Sequence, residues 1–188
     1  MSKNQIQQAV TVLQRGGVIA YPTEAVFGLG CDPRQEDSIK KLLQIKQRPV
    51  EKGLILIASH IDQLLDYIDS SAIEMTRWAE VQASWPGPVT WLLPVRQPVS
   101  SLLCGAHTSI AVRVSAHPVV KMLCDAFAGA ITSTSANRSN QSPTRTAEAT
   151  HTELGRLVDF IIDGEVGPAQ KPTEIRDALS GRIIRPGD

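Results

Sequence analysis

Leu54-Ile55-Leu56-Ile57-Ala58 is an unbroken apolar run of strand length. A strand with one wet face alternates apolar and polar residues; one covered on both faces does not need to. The run therefore predicts a central strand buried from both sides, and the segments around it supply the layers to bury it. On its N-terminal side, Ile6, Ala9, Val10 and Leu13 recur at helical spacing, and Gly16-Gly17 stop that helix. Val18-Ile19-Ala20-Tyr21 then reads as a short buried strand ended by Pro22. Asp37 or Ser38 can cap a second helix with Ile39, Leu42 and Leu43 on one face.

On its C-terminal side, helical patterning returns with Ile61, Leu64, Leu65 and Ile68, and again from about Ile73 to Ala83. Trp85-Pro86-Gly87-Pro88 is a break, followed by strands at Val89–Leu93 and Ile110–Val114. His117 before Pro118 starts a helix through Val119, Val120 and Leu123. Ala130–Ser133 is a further strand that runs into the polar stretch Thr134–Thr144, and Val158–Ile162 and Arg182–Arg185 close the series. Strands alternating with helices indicate an α/β fold with a mixed sheet, and no linker divides residues 1–188 into two domains.

Composition narrows the function classes. Hydrophobic residues make up 42% and charged residues 20%, which is ordinary for a globular chain and far from a disordered one. Nineteen Lys and Arg balance nineteen Asp and Glu, so any anion site must be a local cluster. Cys31, Cys104 and Cys124 are odd in number and scattered, which fits a reducing compartment and a cytoplasmic protein. The opening residues Met1 to Gln5 carry no signal-peptide pattern, and no run approaches the roughly 18 apolar residues that read as a membrane span, so no membrane association is expected.

Polar residues crowd the ends of the apolar strands at four places, where α/β proteins bind ligands. Tyr21-Pro22-Thr23-Glu24 to Gly30 is either a plain turn from strand to helix or a rigid mount for Thr23 and Glu24 over a cavity. Lys46-Gln47-Arg48-Pro49-Val50-Glu51-Lys52 ends a helix. Its cations either answer the helix dipole or, because Pro49 disfavours helix at Arg48, converge as a grip on polyphosphate. Arg113, alternating within the strand Ser109-Ile110-Ala111-Val112-Arg113, either pairs with an Asp or Glu or awaits a carboxylate ligand. Ser133-Thr134-Ser135-Ala136-Asn137, continuing to Ser142-Pro143-Thr144, is either a capped polar loop or a set of hydroxyls and amides for phosphate or ribose oxygens. The familiar nucleotide fingerprints are missing, and Cys104-Gly105-Ala106-His107 lacks the second ligand pair of a metal site.

Together these stretches resemble the YrdC/TsaC family of threonylcarbamoyl-AMP synthases, through Tyr21-Pro22-Thr23-Glu24, Lys46-Gln47-Arg48-Pro49, Trp85-Pro86-Gly87-Pro88, Ala111-Val112-Arg113 and Ser133-Thr134-Ser135-Ala136-Asn137. The match runs from Val18 to Gly187, and its signature is Lys-x-Arg followed by Ser-x-Asn: Lys46, Arg48, Ser135 and Asn137. The resemblance implies a single YrdC-like domain, an open twisted mixed sheet with flanking helices around a positively lined concavity. It implies synthesis of L-threonylcarbamoyladenylate from threonine, bicarbonate or CO2, and ATP, with release of pyrophosphate. Lys46 and Arg48 would hold phosphates; Ser109, Ser135, Asn137, Ser142 and Arg185 would position the nucleotide. Thr23, Arg113, Ser133 and Thr173 would hold threonine, with Arg113 as a fork for its carboxylate. Mg2+ would come on the ATP phosphates, with no metal held by the protein alone. Affinity for tRNA or double-stranded RNA, and separate transferase proteins downstream, are implied as well, because this is the family's short form.

The chain departs from the family pattern at Ala25 and Phe27, at Ser139-Asn140 and at Thr173-Glu174-Ile175. Two rivals meet resistance. A purely RNA-binding module is opposed by 4% aromatic content and balanced charge. A transferase for another adenylate is opposed by Thr23 and Arg113, which suit a small amino acid.

Overall fold

The computed structural model describes residues 3–139 and 141–187. Met1 and Ser2 of the opening segment, Asn140 of the Ser139-Asn140 departure, and Asp188 lie outside them. Helix α1 (Lys3–Gln14), strands β1 (Ile19–Pro22) and β2 (Phe27–Gly30), helix α2 (Glu36–Lys46) and strand β3 (Ile55–Ala58) form the first half. Then follow α3 (Met75–Ala83), β4 (Val89–Pro94), the short α4 (Ser101–Cys104), β5 (Ser109–Val114), α5 (Pro118–Phe127), β6 (Ile131–Ser135), α6 (Ala147–Leu154), β7 (Phe160–Ile161), β8 (Glu174–Asp177) and β9 (Ile183–Arg185). The strands make one mixed sheet in the order β7-β1-β2-β6-β3-β5-β4-β8-β9. β3 sits between β6, antiparallel, and β5, parallel.

The apolar run at 54–58 is covered on both faces. Leu56 and Ala58 join one buried cluster, with Ile39, Leu42 and Leu43 of α2. Ile57, between them in sequence, joins a second cluster with Ile6, Ala9, Val10 and Leu13 of α1 and Val119, Val120 and Leu123 of α5. β1 splits in the same way: Ile19 and Tyr21 face α1 and α5, while Ala20 faces the other layer. This is the two-residue period of a strand read at the level of packing.

That alternation also locates the open part of the sheet. Carried across the register, the face of Ile57 includes Ile55, Ala111, Arg113, Ser133, Ser135 and Gly28. α1 and α5 cover only part of this face, and the rest carries small residues together with Ile55 and Arg113. Gly28 leaves little room for a side chain: a Cβ there would lie 3.3 Å from Thr23 Cγ2 and 3.4 Å from Tyr21 Cζ, a tight fit.

Several elements differ from the sequence reading. Tyr21–Gly30 is a β-hairpin rather than a turn into a helix, because Phe27–Gly30 pairs β1 on one side and β6 on the other. Neither Asp37 nor Ser38 caps α2: Gln35 occupies the cap position without a side-chain bond, and Glu36 and Asp37 sit in the first turn. The 61–68 segment forms only a 3-10 turn over Ile61–Leu64. Leu64 and Ile68 are buried as their spacing suggested, but Ile68 leaves the helical path to bridge Val95. β8 and α6 carried too little apolar periodicity to be seen.

Leu56 is fully buried, in the cluster it shares with Ile39, Leu42 and Leu43 of α2. Leu56→Ala is expected to lower unfolding free energy by about 2–5 kcal/mol, seen as an earlier urea midpoint with an unchanged slope.

Candidate active site

Strand β6 ends by delivering Ser133, Thr134 and Ser135 to a cavity of about 400 Å³. β5 adds Ser109, Ala111 and Arg113; the β1–β2 hairpin adds Thr23, Ala25, Val26, Phe27 and Gly28. The segment after α2 supplies Arg48 and Lys52, and the C-terminal strands supply Ile175, Ile184 and Arg185, with Thr173 just ahead of them. Four cationic side chains line this wall and, among the described residues, no carboxylate does. The concavity is thus positively lined, as the resemblance implied.

Helix α2 stops in a way that separates Lys46 from Arg48. Gln47 adopts a left-handed conformation, and the Arg48 amide bonds the Leu43 carbonyl at 3.0 Å, a helix-closing motif that turns the chain before Pro49. Arg48 leaves along the cavity wall, where its guanidinium donates to the Gly53 carbonyl from Nε (3.1 Å) and Nη2 (3.0 Å). Lys46 goes inward and is only 3% exposed. Its Nζ donates to the Ser135 carbonyl at 2.6 Å and to Asn137 Oδ1 at 2.8 Å, and lies 3.3 Å from Ser135 Oγ. The Lys-x-Arg and Ser-x-Asn segments, about ninety residues apart, thereby meet. Ser139 strengthens the joint by donating its amide (3.0 Å) and its hydroxyl (2.9 Å) to the Lys46 carbonyl.

Arg113 takes the first of the alternatives posed for it, the pairing with a carboxylate. Its Nη2 lies 3.1 Å from Glu24 Oε2 in an ion pair, and Nη1 donates to Thr173 Oγ1 at 2.7 Å. It nevertheless lines the cavity, and its buried Nε has no hydrogen-bond partner. Arg185 donates to the Thr173 carbonyl from Nη2 at 2.7 Å, so Thr173 is shared by two cations. Thr23 is held by its own turn, its hydroxyl donating to the Val26 carbonyl at 2.7 Å.

Of the residues singled out from sequence, the structure brings Thr23, Arg48, Ser109, Arg113, Ser133, Ser135, Thr173 and Arg185 to one wall. Lys46 and Asn137 stand behind it, in contact with Ser135. Ser142 does not join them: it is exposed, while Pro143 beside it takes the wall position. Lys52 and His107 line the cavity although the sequence reading assigned them no role; only Lys52's place in the basic 46–52 segment hinted at it. Cys104 and His107 share the wall, but no cluster of metal-ligating side chains occurs among the described residues.

Burial, and secondarily the charge of Arg48, pull the Lys46 ammonium down to about 8. Burial also lowers Arg48, and lowers Arg185 with a further push from Arg113. Cations held away from water without matching carboxylates favour an anionic ligand, which restores the missing counter-charge.

An α/β sheet presenting a cation-walled cavity edged with small hydroxyls defines a domain that handles anions of the phosphate and carboxylate type. Residues 11–187 match the Sua5/YciO/YrdC family model, described as telomere recombination. The chain belongs to this family. It is 52% identical over 180 residues to the threonylcarbamoyl-AMP synthase of Xanthomonas euvesicatoria pv. vesicatoria, covering 96% of each chain. To the enzyme of that name from Photobacterium profundum it is 50% identical over 184 residues, covering 98% of this chain and 100% of the relative. A solved structure of P. abyssi Sua5 complexed with L-threonine superposes with a TM-score of 0.91 at 27% identity; it covers the whole of this chain, which spans 55% of that one.

The lowered Lys46 has two opposite consequences over one pH window. Between about 8 and the ordinary lysine value of 10.5 the unfolded chain binds the extra proton, so this group's contribution to stability rises with pH there. Anion binding should fall over the same window as the charge is lost. Titration with inorganic triphosphate is expected to show affinity dropping as pH passes about 8, and Lys46→Arg to hold affinity past that point.

Proposed function

We propose that this chain makes L-threonylcarbamoyladenylate from L-threonine, bicarbonate or CO2, and ATP, releasing pyrophosphate, as a nucleotidyltransferase. This is the first step of threonylcarbamoyladenosine formation in tRNAs that read ANN codons. The observation that carries the reading is one cavity wall holding Arg48 and Lys52 beside the Ser133–Ser135 strand end, together with the Arg113–Thr173 pair. Such a wall suits two anions that must be brought together.

The chemistry needs little from the protein except positioning and charge neutralisation. The threonine amine, as free base, bonds to the carbon of CO2 and loses a proton, giving a carbamate. A carbamate oxygen then attacks the α-phosphorus of ATP, and the bond to the bridging oxygen breaks with pyrophosphate leaving. Lys46 and Arg48 neutralise the phosphates, and Ser135 and Asn137, with Ser109 and Arg185, position the nucleotide. Lys46 acts from behind the wall through Ser135. Thr23, Ser133 and Thr173 hold threonine around the Arg113–carboxylate pair. Ser142 belongs to this set only if its loop turns inward on binding.

Among the described residues the wall offers hydroxyls, carbonyls and cations but no carboxylate. A metal held by the protein alone does not fit it, and Mg2+ enters as the companion of ATP, a substrate. Among the described residues no helix is long and apolar enough to cross a membrane. The reading takes residues 1–188 as one domain of a cytoplasmic protein that has affinity for tRNA or double-stranded RNA and hands its product to separate transferase proteins.

Pyrophosphate release from ATP by the purified chain tests the reading. Release that requires both threonine and bicarbonate is expected; release indifferent to either would rule the reaction out. Lys46→Ala and Arg48→Ala are each expected to lower turnover by at least about 100-fold with the circular dichroism spectrum unchanged. Normal rates in both variants would remove the phosphate role assigned to the pair.

A further inference from the structure

The four cations of the cavity wall are not equally compensated. Arg48 meets only backbone carbonyls, of Gly53 and Lys52, and Lys46 behind it meets a carbonyl, a hydroxyl and an amide oxygen. Among the described residues, Arg113 alone of the wall cations Arg48, Lys52, Arg113 and Arg185 forms an ion pair with a carboxylate, that of Glu24, at 3.1 Å. That carboxylate stands behind the wall rather than in it.

Glu24 is held there from every side. Its Oε1 accepts a 2.5 Å hydrogen bond from Ser115 Oγ, which in turn accepts one from the His117 amide at 3.1 Å. Its carbonyl accepts from the Ala169 amide at 3.2 Å, and Gly167 passes so close that a Cβ would lie 2.6 Å from it. The Oε2 facing Arg113 is buried and makes no aligned hydrogen bond, and Arg113 Nε is buried and unpartnered as well. The pair is therefore held together by charge while the guanidinium keeps donors uncommitted, Thr173 taking one of the five.

We propose that Glu24 is a positioning residue that divides one cationic cavity into two ends: by compensating Arg113 it keeps phosphate away from that end and presents the guanidinium, correctly turned, to an α-amino acid carboxylate. A triphosphate goes where positive charge is uncompensated, at Arg48 and Lys52. The zwitterionic amino acid, with no net charge to gain from a bare cation, goes where Glu24 offsets the Arg113 charge and the donors are fixed. Arg185, bonded to the Thr173 carbonyl, is left to the nucleotide. Without Glu24 the buried guanidinium would be an uncompensated charge, free to turn and attractive to any anion.

This deepens the reading of Arg113 as the threonine carboxylate's partner and rests on it, so the wild type is assayed first. Wild type that forms no adenylate from threonine would sink that reading. With wild type active, Glu24→Gln is expected to raise the KM for threonine about tenfold and leave the KM for ATP within about twofold. It is also expected to make inorganic triphosphate, at millimolar concentration, a competitive inhibitor against threonine. A merely structural Glu24 would lower the active fraction and move neither KM nor the inhibition pattern. Threonine KM within about twofold of wild type and no new competition would overturn the inference alone. Should Glu24→Gln fail to fold, Ser115→Ala removes the hydroxyl that fixes Glu24, together with its bond from the His117 amide, and leaves the Glu24 carboxylate in place. It is expected to raise the threonine KM about threefold, and an unchanged value there overturns the inference equally.

Discussion

Strand β6 is hydrogen-bonded along both edges, antiparallel to β2 on one side and to β3 on the other, and the site depends on that double pairing. It unites the β7-β1-β2 end of the sheet with the β3-β5-β4-β8-β9 end. Its first residues are core: Ile131 packs with α1 and α5. Its last, Ser133 to Ser135, are wall. A strand clamped on both sides has little freedom to shift register, since a slip of one residue would exchange wall hydroxyls for core methyls. The Lys46 bond to the Ser135 carbonyl then fixes the loop beyond the strand to the end of α2. Two motifs remote in sequence become one surface through a single buried ammonium.

Buried cations are costly unless compensated, and here the compensation is graded. Lys46 is bonded by three oxygens but by no carboxylate, and burial, with the charge of Arg48, makes its ammonium easier to deprotonate. Arg113 has Glu24 beside it. The remaining deficit is what an anionic substrate supplies, so part of the folded state's electrostatic discomfort is relieved on binding. The same logic explains the small residues on this face. Gly28, Ala111, Ser133 and Ser135 leave volume where α1 and α5 do not reach, and larger side chains there would close the cavity.

Where local chemistry sufficed, the sequence was readable. The 54–58 run announced a strand covered on both faces, because only burial on both sides tolerates unbroken apolarity. Lys46, Arg48 and Ser135 stood out as polar groups crowded at the ends of apolar elements, with a helix-dipole or loop-capping use open beside a functional one. Their union came from family resemblance, since spacing alone left each as open to a bland reading as to a functional one. β2 was missed because Phe27-Gly28-Leu29-Gly30 has two glycines and a turn's composition; its strand character comes from β1 and β6 on either side. The helix expected over 61–68 failed because burial at Leu64 and Ile68 has the spacing of a helix without its hydrogen bonds. Ser142 was grouped with Ser135 on the family resemblance, but its side chain is exposed and Pro143 holds the wall position.

The residues alone determined which segments must be buried, that any anion site would be a local cluster, and which side chains could serve one. Those properties belong to individual residues and their near neighbours. Only the tertiary structure decided that Lys46 stands behind the wall while Arg48 stands in it. It alone seated Arg113 against Glu24 and Thr173, and brought Lys52 and His107 to the cavity. Such relations join strands and loops from opposite ends of the chain, and they are set by register and packing that no local pattern encodes.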